Sequence, residues 1–364
     1  MPDHADRRKS VLLRVSPWGG SDVHGGQLRS QQITQLVARA LPDAITHVAP
    51  GLRSLSYRAR AALAVQGAVE TAKGISPSEG LFTAFVGRII AGLHLARGDL
   101  VIYDADPRYG AAMARVAARR GLRLVALPHN VEAMIPHAWP IVIDVGQVTR
   151  DFGREVGWLA KADQVWTIGC FDRDLFQLCG IDARLLPYVP PAGRAAELAA
   201  IRVHRETASP GHLLILGTAH NPPTRAGMLE QLAIARTLRL DHPVILAGYG
   251  TEALAADAGP GVTVVGAQSW PELQKLIGGA AALWVHQAPM SGALTRIPEA
   301  LIAGVPVVAN NWAARGHAAM AGLVTYGDAG GLAACLANLP TGFAPPDFAA
   351  AEAHFINAMR TLVE

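Results

Sequence analysis

Residues 283–316 read LWVHQAPMSGALTRIPEALIAGVPVVANNWAARG, and their pattern is the strongest indication of the fold in this chain. An apolar run over 281–285 predicts a buried strand, and 306–309 predicts a second one. Between them, a loop of small residues leads into a predicted helix over 295–303, which Gly304 ends. A strand, a loop, a helix and a strand in this order predict a parallel α/β unit.

The loop between these strands is a predicted anion site. Its tip consists of Ser291, Gly292 and Ala293. The helix that follows begins with backbone N–H groups that lack partners and that suit a phosphate. Arg296 lies in its first turn, and Glu299 lies one turn further on, where a carboxylate can reach vicinal hydroxyls. The alternative is an ordinary amphipathic helix with a solvated Glu299.

This stretch resembles the nucleotide-sugar site of retaining glycosyltransferases of the GT-B fold, in the GT4-type group. The matching residues are EAL at 299–301, Gly304 and PVV at 306–308. The resemblance implies two Rossmann-like domains whose parallel sheets face each other across a cleft. It also implies transfer of a sugar from a UDP- or GDP-sugar to a hydroxyl acceptor, in bacterial glycan or glycoconjugate biosynthesis.

The composition limits the class of protein. A length of 364 residues suits two domains, and 51% hydrophobic with 17% charged residues indicates a globular chain. The net charge of +3 and its dispersed arginines predict no nucleic-acid partner. Three cysteines without metal-ligand spacing, and an N-terminus unlike a signal peptide, predict a cytoplasmic protein. The apolar stretch 80–96 is too short to span a bilayer.

The order of apolar runs and helical patterns predicts the domain boundaries. The first alternation ends at a proline-rich stop, which predicts a first domain over 1–191. The resemblance implies that this is the acceptor-side domain. An Ala-, Arg- and Pro-rich linker with one or two helical turns is predicted over 192–211. A second alternation predicts a second domain over 212–345, which the resemblance implies is the nucleotide-sugar-binding domain. The resemblance implies that the last helix, 346–364, crosses back to the first domain.

The resemblance extends into the first domain. Gly25 and Gly26, with the glycine pair at 19–20, match the family's glycine loop, which approaches donor phosphates and acceptor. A surface loop is the alternative. His129 follows a buried strand at its carboxyl edge, where ligands collect in open α/β sheets. The resemblance implies that His129 contacts the transferred sugar, and a structural histidine is the alternative.

The second domain carries further candidate donor-binding residues. Many relatives bind the diphosphate with an arginine and a lysine where this chain has Thr218 and Arg225. Because of that departure, Arg225 and Arg296 are both candidates for the diphosphate cation. Gly248 matches a glycine that lets a strand end turn beneath the nucleotide. Trp270 is a candidate for contact with the base, or else a core residue.

The acidic residues of the sequence indicate which carboxylates could act in catalysis and whether a metal site is expected. Many relatives carry two glutamates eight positions apart; Glu299 matches the second, but Ser291 replaces the first. Asp104 and Asp106 have the spacing of a metal-binding pair, yet they belong to another strand edge, where they could bind an acceptor or cap a helix. The resemblance implies an enzyme that needs no metal, so no metal and no cofactor are expected. The predicted catalytic residues are His129, Arg296 and Glu299.

Three functions remain open on the sequence. The first is a glycosyltransferase acting on a glycan, lipid-linked or small-molecule acceptor. The second is a nucleotide-sugar epimerase of the same fold, and the third is a catalytically silent subunit that partners an active glycosyltransferase. Segment 52–73 mixes apolar residues with Arg53, Arg58 and Arg60, which fits either peripheral contact with the inner face of an anionic membrane or an ordinary packed helix.

Overall fold

The structure is a computed structural model that describes residues 8–16, 25–104, 107–205, 211–317 and 319–364. The chain divides into two compact units. Unit 1 comprises Met1–Ala133, Val145–Pro187 and Ala349–Glu364, and unit 2 comprises Met134–Asp144 and Tyr188–Phe348.

Unit 1 contains a six-stranded parallel sheet in the order β2-β1-β3-β4-β5-β6. Its strands are β1 (Ser10–Ser16), β2 (Ile45–Pro50), β3 (Leu100–Asp104), β4 (Arg123–Leu127), β5 (Gln164–Thr167) and β6 (Ala183–Leu185). Its helices are α1 (Gly25–Ala40), α2 (Tyr57–Thr71), α3 (Pro77–Gly92), α4 (Pro107–Arg120), α5 (Val145–Leu159), α6 (Cys170–Leu178) and the last helix, α13 (Ala349–Val363). The strand order reverses between β1 and β3, which makes the carboxyl ends of these two strands the expected ligand edge.

The C-terminal helix α13 is part of unit 1. Its buried residues Phe355 and Met359 share a core with Ile33 and Leu36 of α1. Arg360 also donates to the Arg39 carbonyl oxygen at 3.2 Å. The apolar stripe of α13 therefore covers one face of the first sheet.

Unit 2 contains a second six-stranded parallel sheet, in the order β12-β11-β10-β7-β8-β9. Its strands are β7 (His212–Leu216), β8 (Val244–Ala247), β9 (Val262–Gly266), β10 (Ala280–Val285), β11 (Val307–Asn310) and β12 (Leu323–Tyr326). Its helices are α7 (Ala192–Arg205), α8 (Pro222–Thr237), α9 (Trp270–Gly279), α10 (Arg296–Ile302), α11 (Asn311–Ala314) and α12 (Ala329–Ala337). Here the strand order reverses between β7 and β10. The predicted α/β class, with two Rossmann-like parallel sheets, is confirmed.

The segment predicted as a linker, 192–211, is corrected by the structure. It contains the 14-residue helix α7, where one or two turns were expected. Leu198 and Ile201 bury one face of α7 in the core of unit 2. Arg202 donates to the Ile302 carbonyl oxygen at 2.9 Å, and Arg205 donates to that of Ala280 at 2.6 Å. These contacts make α7 part of the second unit.

Segment 52–73 is not one continuous helix. A single 3-10 turn, Leu52–Ser54, precedes α2, and the Ser56 hydroxyl caps α2 by accepting from the Ala59 N–H at 3.3 Å. Within the described part of the chain, no helix is long and apolar enough to cross a membrane.

Candidate functional site

Two glycines bring the ends of β7 and β8 into direct contact. Gly248 follows β8 with a φ of +129°, and a β carbon there would lie 1.7 Å from the Gly217 carbonyl oxygen. Only a residue without a side chain can hold this backbone conformation at this distance. The predicted role of Gly248 in turning a strand end thus has a physical reason: it lets the backbone after β7 lie flush against β8.

Arg296 reaches this strand edge from the start of α10. Its Nη2 donates to Gln287 Oε1 at 3.1 Å, and its Nη1 lies 3.1 Å from where a β carbon of Gly217 would stand. No carboxylate in the described ranges pairs with it. Burial lowers the pKa of Arg296 to about 10, so the side chain stays positive at neutral pH. A half-buried cation without a counter-charge at the point where strand order reverses suits an anionic ligand.

Gln287 and Asn310 hold this arginine in place. Asn310 accepts from the Gln287 N–H at 3.1 Å and donates to the Gln287 carbonyl oxygen at 3.0 Å. Both residues are buried, and they join the ends of the adjacent strands β10 and β11. Neither residue is among the site residues predicted from the sequence. The available signal was a pair of amide side chains, each directly at or after the end of a buried strand.

The predicted phosphate loop connects to the same region. Ser291 is buried, and Gly292 has a φ of +87°, which a residue with a side chain rarely adopts. The Leu294 N–H donates to Nε2 of His317 at 3.2 Å. Ala293 approaches Gly316, since its β carbon would lie 3.7 Å from one placed there. Loop 291–293 is therefore held against the segment that follows α11.

Glu299 is engaged by two side chains of unit 2. Its Oε1 accepts from the Tyr188 hydroxyl at 2.7 Å, and its Oε2 accepts from Arg194 Nη2 at 3.0 Å. This arrangement excludes the solvated alternative, because the carboxylate is mostly buried. A carboxylate accepts about four hydrogen bonds, so each oxygen keeps capacity for a hydroxyl group.

Trp270 packs against α7. The Arg194 guanidinium carbon lies 3.1 Å from the centre of the Trp270 ring, and the indole N–H donates to Glu197 at 2.8 Å. One face of the ring and its only polar atom are thus occupied within unit 2. These contacts favour the core interpretation of Trp270 over contact with a base.

Thr218 and Arg225 flank the loop after β7. The Thr218 hydroxyl accepts from the His220 N–H at 3.3 Å. The Arg225 guanidinium carbon lies 5.3 Å from the centre of the Trp139 ring, and its Nε is buried without a hydrogen-bond partner among the described residues. Of the two candidate cations for the diphosphate, Arg225 and Arg296, it is Arg296 that lies beside Gly217.

In unit 1, His129 meets a buried carboxylate where strand order reverses. Its Nε2 lies 2.7 Å from Asp104 Oδ1. Asp104 ends β3 and also accepts from Arg14 of β1 and, at 2.6 Å, from Ser30. Burial alone would raise the pKa of Asp104, but the charges and hydrogen bonds of His129, Arg14 and Ser30 together lower it below its ordinary value.

The other candidate site residues of unit 1 are Gly25, Gly26, Asp106 and the glycine pair 19–20. Gly25 and Gly26 are the first residues of α1, where the resemblance implies a loop. Asp106 and the glycine pair 19–20 lie outside the described residues. The Asp104 carboxylate of the proposed metal pair is occupied by protein donors.

Comparison with solved structures identifies the architecture. Anabaena HepE in complex with UDP-glucose superposes with a TM-score of 0.57 at 15% identity, over 98% of this chain and 94% of that one. Sucrose-phosphate synthase from Thermosynechococcus elongatus superposes with a TM-score of 0.63 at 15% identity, over 98% of this chain and 95% of that one. UDP-GlcNAc 2-epimerase from Methanocaldococcus jannaschii superposes with a TM-score of 0.53 at 11% identity, over 96% of this chain and 99% of that one. The chain has the GT-B fold.

These likenesses show the fold alone, because the identities are low. No protein-family model and no curated protein matches the sequence. Both sheets of this GT-B chain nevertheless carry polar clusters where their strand order reverses. The first is Asp104 with His129, and the second is Arg296 with Gln287.

Proposed function

We propose that the protein is a retaining glycosyltransferase of the GT4 type that moves a sugar from a UDP- or GDP-sugar to a hydroxyl acceptor. The observation that carries this proposal is Arg296, a half-buried cation that lacks a carboxylate partner within the described ranges and lies against Gly217. Sugar transfer from a nucleotide builds negative charge on the departing diphosphate, and a preorganised cation stabilises that charge.

The residues around Arg296 supply the rest of the donor site in this proposal. The packing of Gly248 against Gly217 places the backbone after β7 beside Arg296, at the strand edge where the diphosphate binds in this proposal. Backbone N–H groups of loop 291–293 bind its oxygens, and Glu299 accepts hydrogen bonds from the ribose. Arg296 provides positive charge, so we expect no requirement for a metal ion or another cofactor.

His129 belongs to the sugar-binding part of the proposal. The Asp104 carboxylate accepts a hydrogen bond from His129 Nε2. This bond fixes the orientation of the imidazole ring and leaves Nδ1 for a sugar hydroxyl. Asp104 is held by Arg14 and Ser30, so it acts on His129 as a positioning residue.

The acceptor is proposed to be a glycan, a lipid-linked sugar or a small hydroxyl compound. One feature bears on a lipid-linked acceptor: α2 exposes Tyr57, Val65 and Val69, with 80%, 69% and 58% of their surfaces accessible. Arg58 and Arg60 lie on the same helix and are exposed. We propose that α2 contacts an anionic membrane surface at the inner face of the cell membrane.

The first experiment is a thermal-shift screen with UDP, GDP, ADP and TDP, because a ligand that binds the folded state raises the melting temperature. We expect one nucleotide to stabilise the wild type and to lose that effect with Arg296→Gln. Stabilisation by none of the four would overturn the proposal. Incubation of the matching nucleotide sugar then separates the functions: sugar isomerisation without an acceptor indicates an epimerase, and binding without hydrolysis or transfer indicates a silent subunit.

A further inference from the structure

His317 carries a buried N–H group that the fold does not satisfy. The side chain follows α11 and is 6% exposed. Its Nε2 accepts the Leu294 N–H at 3.2 Å, and a backbone N–H can only donate. In the neutral ring the proton must therefore sit on Nδ1. That nitrogen is buried and has no hydrogen-bond partner among the described residues.

An unmet buried donor is costly. Leaving such a group without an acceptor destabilises a protein, and native structures rarely contain one without a reason. His317 is also held neutral: burial, and then the charge of Arg296, lower its pKa to about 4. At neutral pH the side chain presents a single uncharged donor.

Arg296 is a cation that lacks a negatively charged partner among the described residues. It donates to Gln287 at 3.1 Å but has no carboxylate partner in the described part of the chain. Its positive charge also lowers the pKa of His317, and the His317 ring accepts from the N–H of Leu294, which lies two positions before Arg296. One small region thus holds a cation without a counter-charge and an N–H without an acceptor. An anionic oxygen satisfies both.

We propose that His317 is a binding residue of the donor site, and that its Nδ1–H donates to a phosphate oxygen of the nucleoside diphosphate held by Arg296. This inference rests on the proposed function. It assigns a role to the loop after α11, a segment for which the sequence predicted none. It also gives loop 291–293 a fixed shape, because the same imidazole holds the Leu294 N–H.

Two substitutions separate the two nitrogens of His317. In His317→Gln, the amide oxygen can replace Nε2 as the acceptor for Leu294, while the Nδ1 donor is lost. In His317→Asn, the amide nitrogen lies near the Nδ1 position and keeps the donor. The probes are the nucleoside diphosphate selected by thermal shift, the matching nucleoside without phosphates, and inorganic pyrophosphate, with affinities measured by calorimetry.

We expect His317→Gln to weaken binding of the nucleoside diphosphate and of pyrophosphate by about tenfold or more, since a hydrogen bond to a charged group is lost. Affinity for the nucleoside should not change, and His317→Asn should retain most of the diphosphate affinity. Equal weakening for nucleoside and nucleoside diphosphate would show a structural histidine and overturn the inference.

Nitrogen NMR of the wild type provides a measurement that needs no variant. With ¹⁵N-labelled histidine, the Nδ1–H signal of His317 should shift when the nucleoside diphosphate is added and stay unchanged with the nucleoside. An unchanged signal in a protein that binds the nucleotide refutes the role of His317 and leaves the proposed function standing. If the wild type binds no nucleoside diphosphate, the proposed function and this inference both fail.

Discussion

Gly248 lies so close to Gly217 that a β carbon on Gly248 would stand 1.7 Å from the Gly217 carbonyl oxygen. The contact joins the carboxyl ends of β7 and β8. Gly217 in turn lies beside Arg296, so the backbone packing of two strand ends determines where the cation of the candidate site stands.

Gly248→Ala should therefore destabilise unit 2. Its φ of +129° strains any residue with a side chain, and the new methyl group would overlap backbone that cannot move away as a side chain can. We expect the free energy of unfolding to fall by about 3 kcal/mol or more. Urea unfolding followed by circular dichroism measures it.

Gly261→Ala is the matched control for this prediction. Gly261 also has a positive φ, +81°, but no atom lies within 4 Å of a β carbon placed there. It should cost only about 1 kcal/mol, from backbone strain alone. Equal losses for the two variants would mean that the contact with Gly217 is unimportant.

The sequence predicted the local elements of the site well. The apolar runs around β10 and β11 have the length and pattern of buried strands, and the small residues between them marked the loop. The sequence could not predict the partners of Glu299, because Arg194 lies 105 positions away in a segment whose Ala- and Arg-rich composition resembles a linker. A helix such as α7 gains its stability from tertiary packing of Leu198 and Ile201, which local composition does not reveal.

The unit 1 cluster shows the same limit. The position of His129 after a buried strand predicted that it would lie at the ligand edge. Its contact with Asp104 depends on which strands are neighbours, and β3 lies between β1 and β4. Strand order is set by packing of whole elements, so the Arg14–Asp104–His129 cluster could not be read from spacing.

Glu299→Ala should weaken nucleoside diphosphate binding by roughly tenfold or more, because hydrogen bonds from the ribose to a charged acceptor are lost. Preference for the ribonucleotide over its 2′-deoxy form should fall in parallel. Calorimetry with both nucleotides measures this. Glu197→Ala is the control, since Glu197 belongs to the same cluster but bonds to Trp270. Unchanged affinity in Glu299→Ala would show that Glu299 only ties α10 to Tyr188 and Arg194.

His129→Ala should spare nucleoside diphosphate binding and lower turnover of the intact nucleotide sugar, because the proposed contact is to the sugar. Affinity is measured by calorimetry, and turnover by release of the nucleoside diphosphate. If both fall together with the melting temperature, His129 has a structural role.

Asp104→Asn should change the acid dependence of stability. The pKa of Asp104 is lower in the folded protein than its ordinary value of 3.8, so the folded state binds this proton less readily than the unfolded chain. The resulting stabilisation is fully present well above pH 3.8 and is lost progressively as the pH falls from that value through the lower folded-state pKa. Urea unfolding should show wild type and variant converging as the pH falls from 5 towards 3.

Asp241→Asn is the control for this experiment, since Asp241 is exposed. Its difference from the wild type should stay small across the same pH range. A constant difference between wild type and Asp104→Asn would mean that the ion pairs of Asp104 contribute no pH-dependent stability.

The exposed face of α2 should bind anionic membranes. Leu63 and Gly67 are the buried residues of α2, while Tyr57, Val65 and Val69 face solvent. Its one acidic residue, Glu70, is paired with Lys73 at 2.8 Å and with Arg119 at 2.6 Å, so no free acidic charge opposes an anionic surface. We expect the wild type to sediment with phosphatidylglycerol-containing vesicles at low salt, and to remain in solution with neutral vesicles.

Three variants separate charge from apolar contact in this binding. Changing Arg53, Arg58 and Arg60 to Gln should abolish sedimentation, because each basic residue near an anionic surface contributes about 1 kcal/mol. The same three positions changed to Lys should keep it, since the charge is preserved. Val65→Ser with Val69→Ser should weaken binding and make it more sensitive to salt, because only the electrostatic part remains. A wild-type protein indifferent to anionic vesicles at low salt would reject the membrane contact and favour an acceptor free in solution.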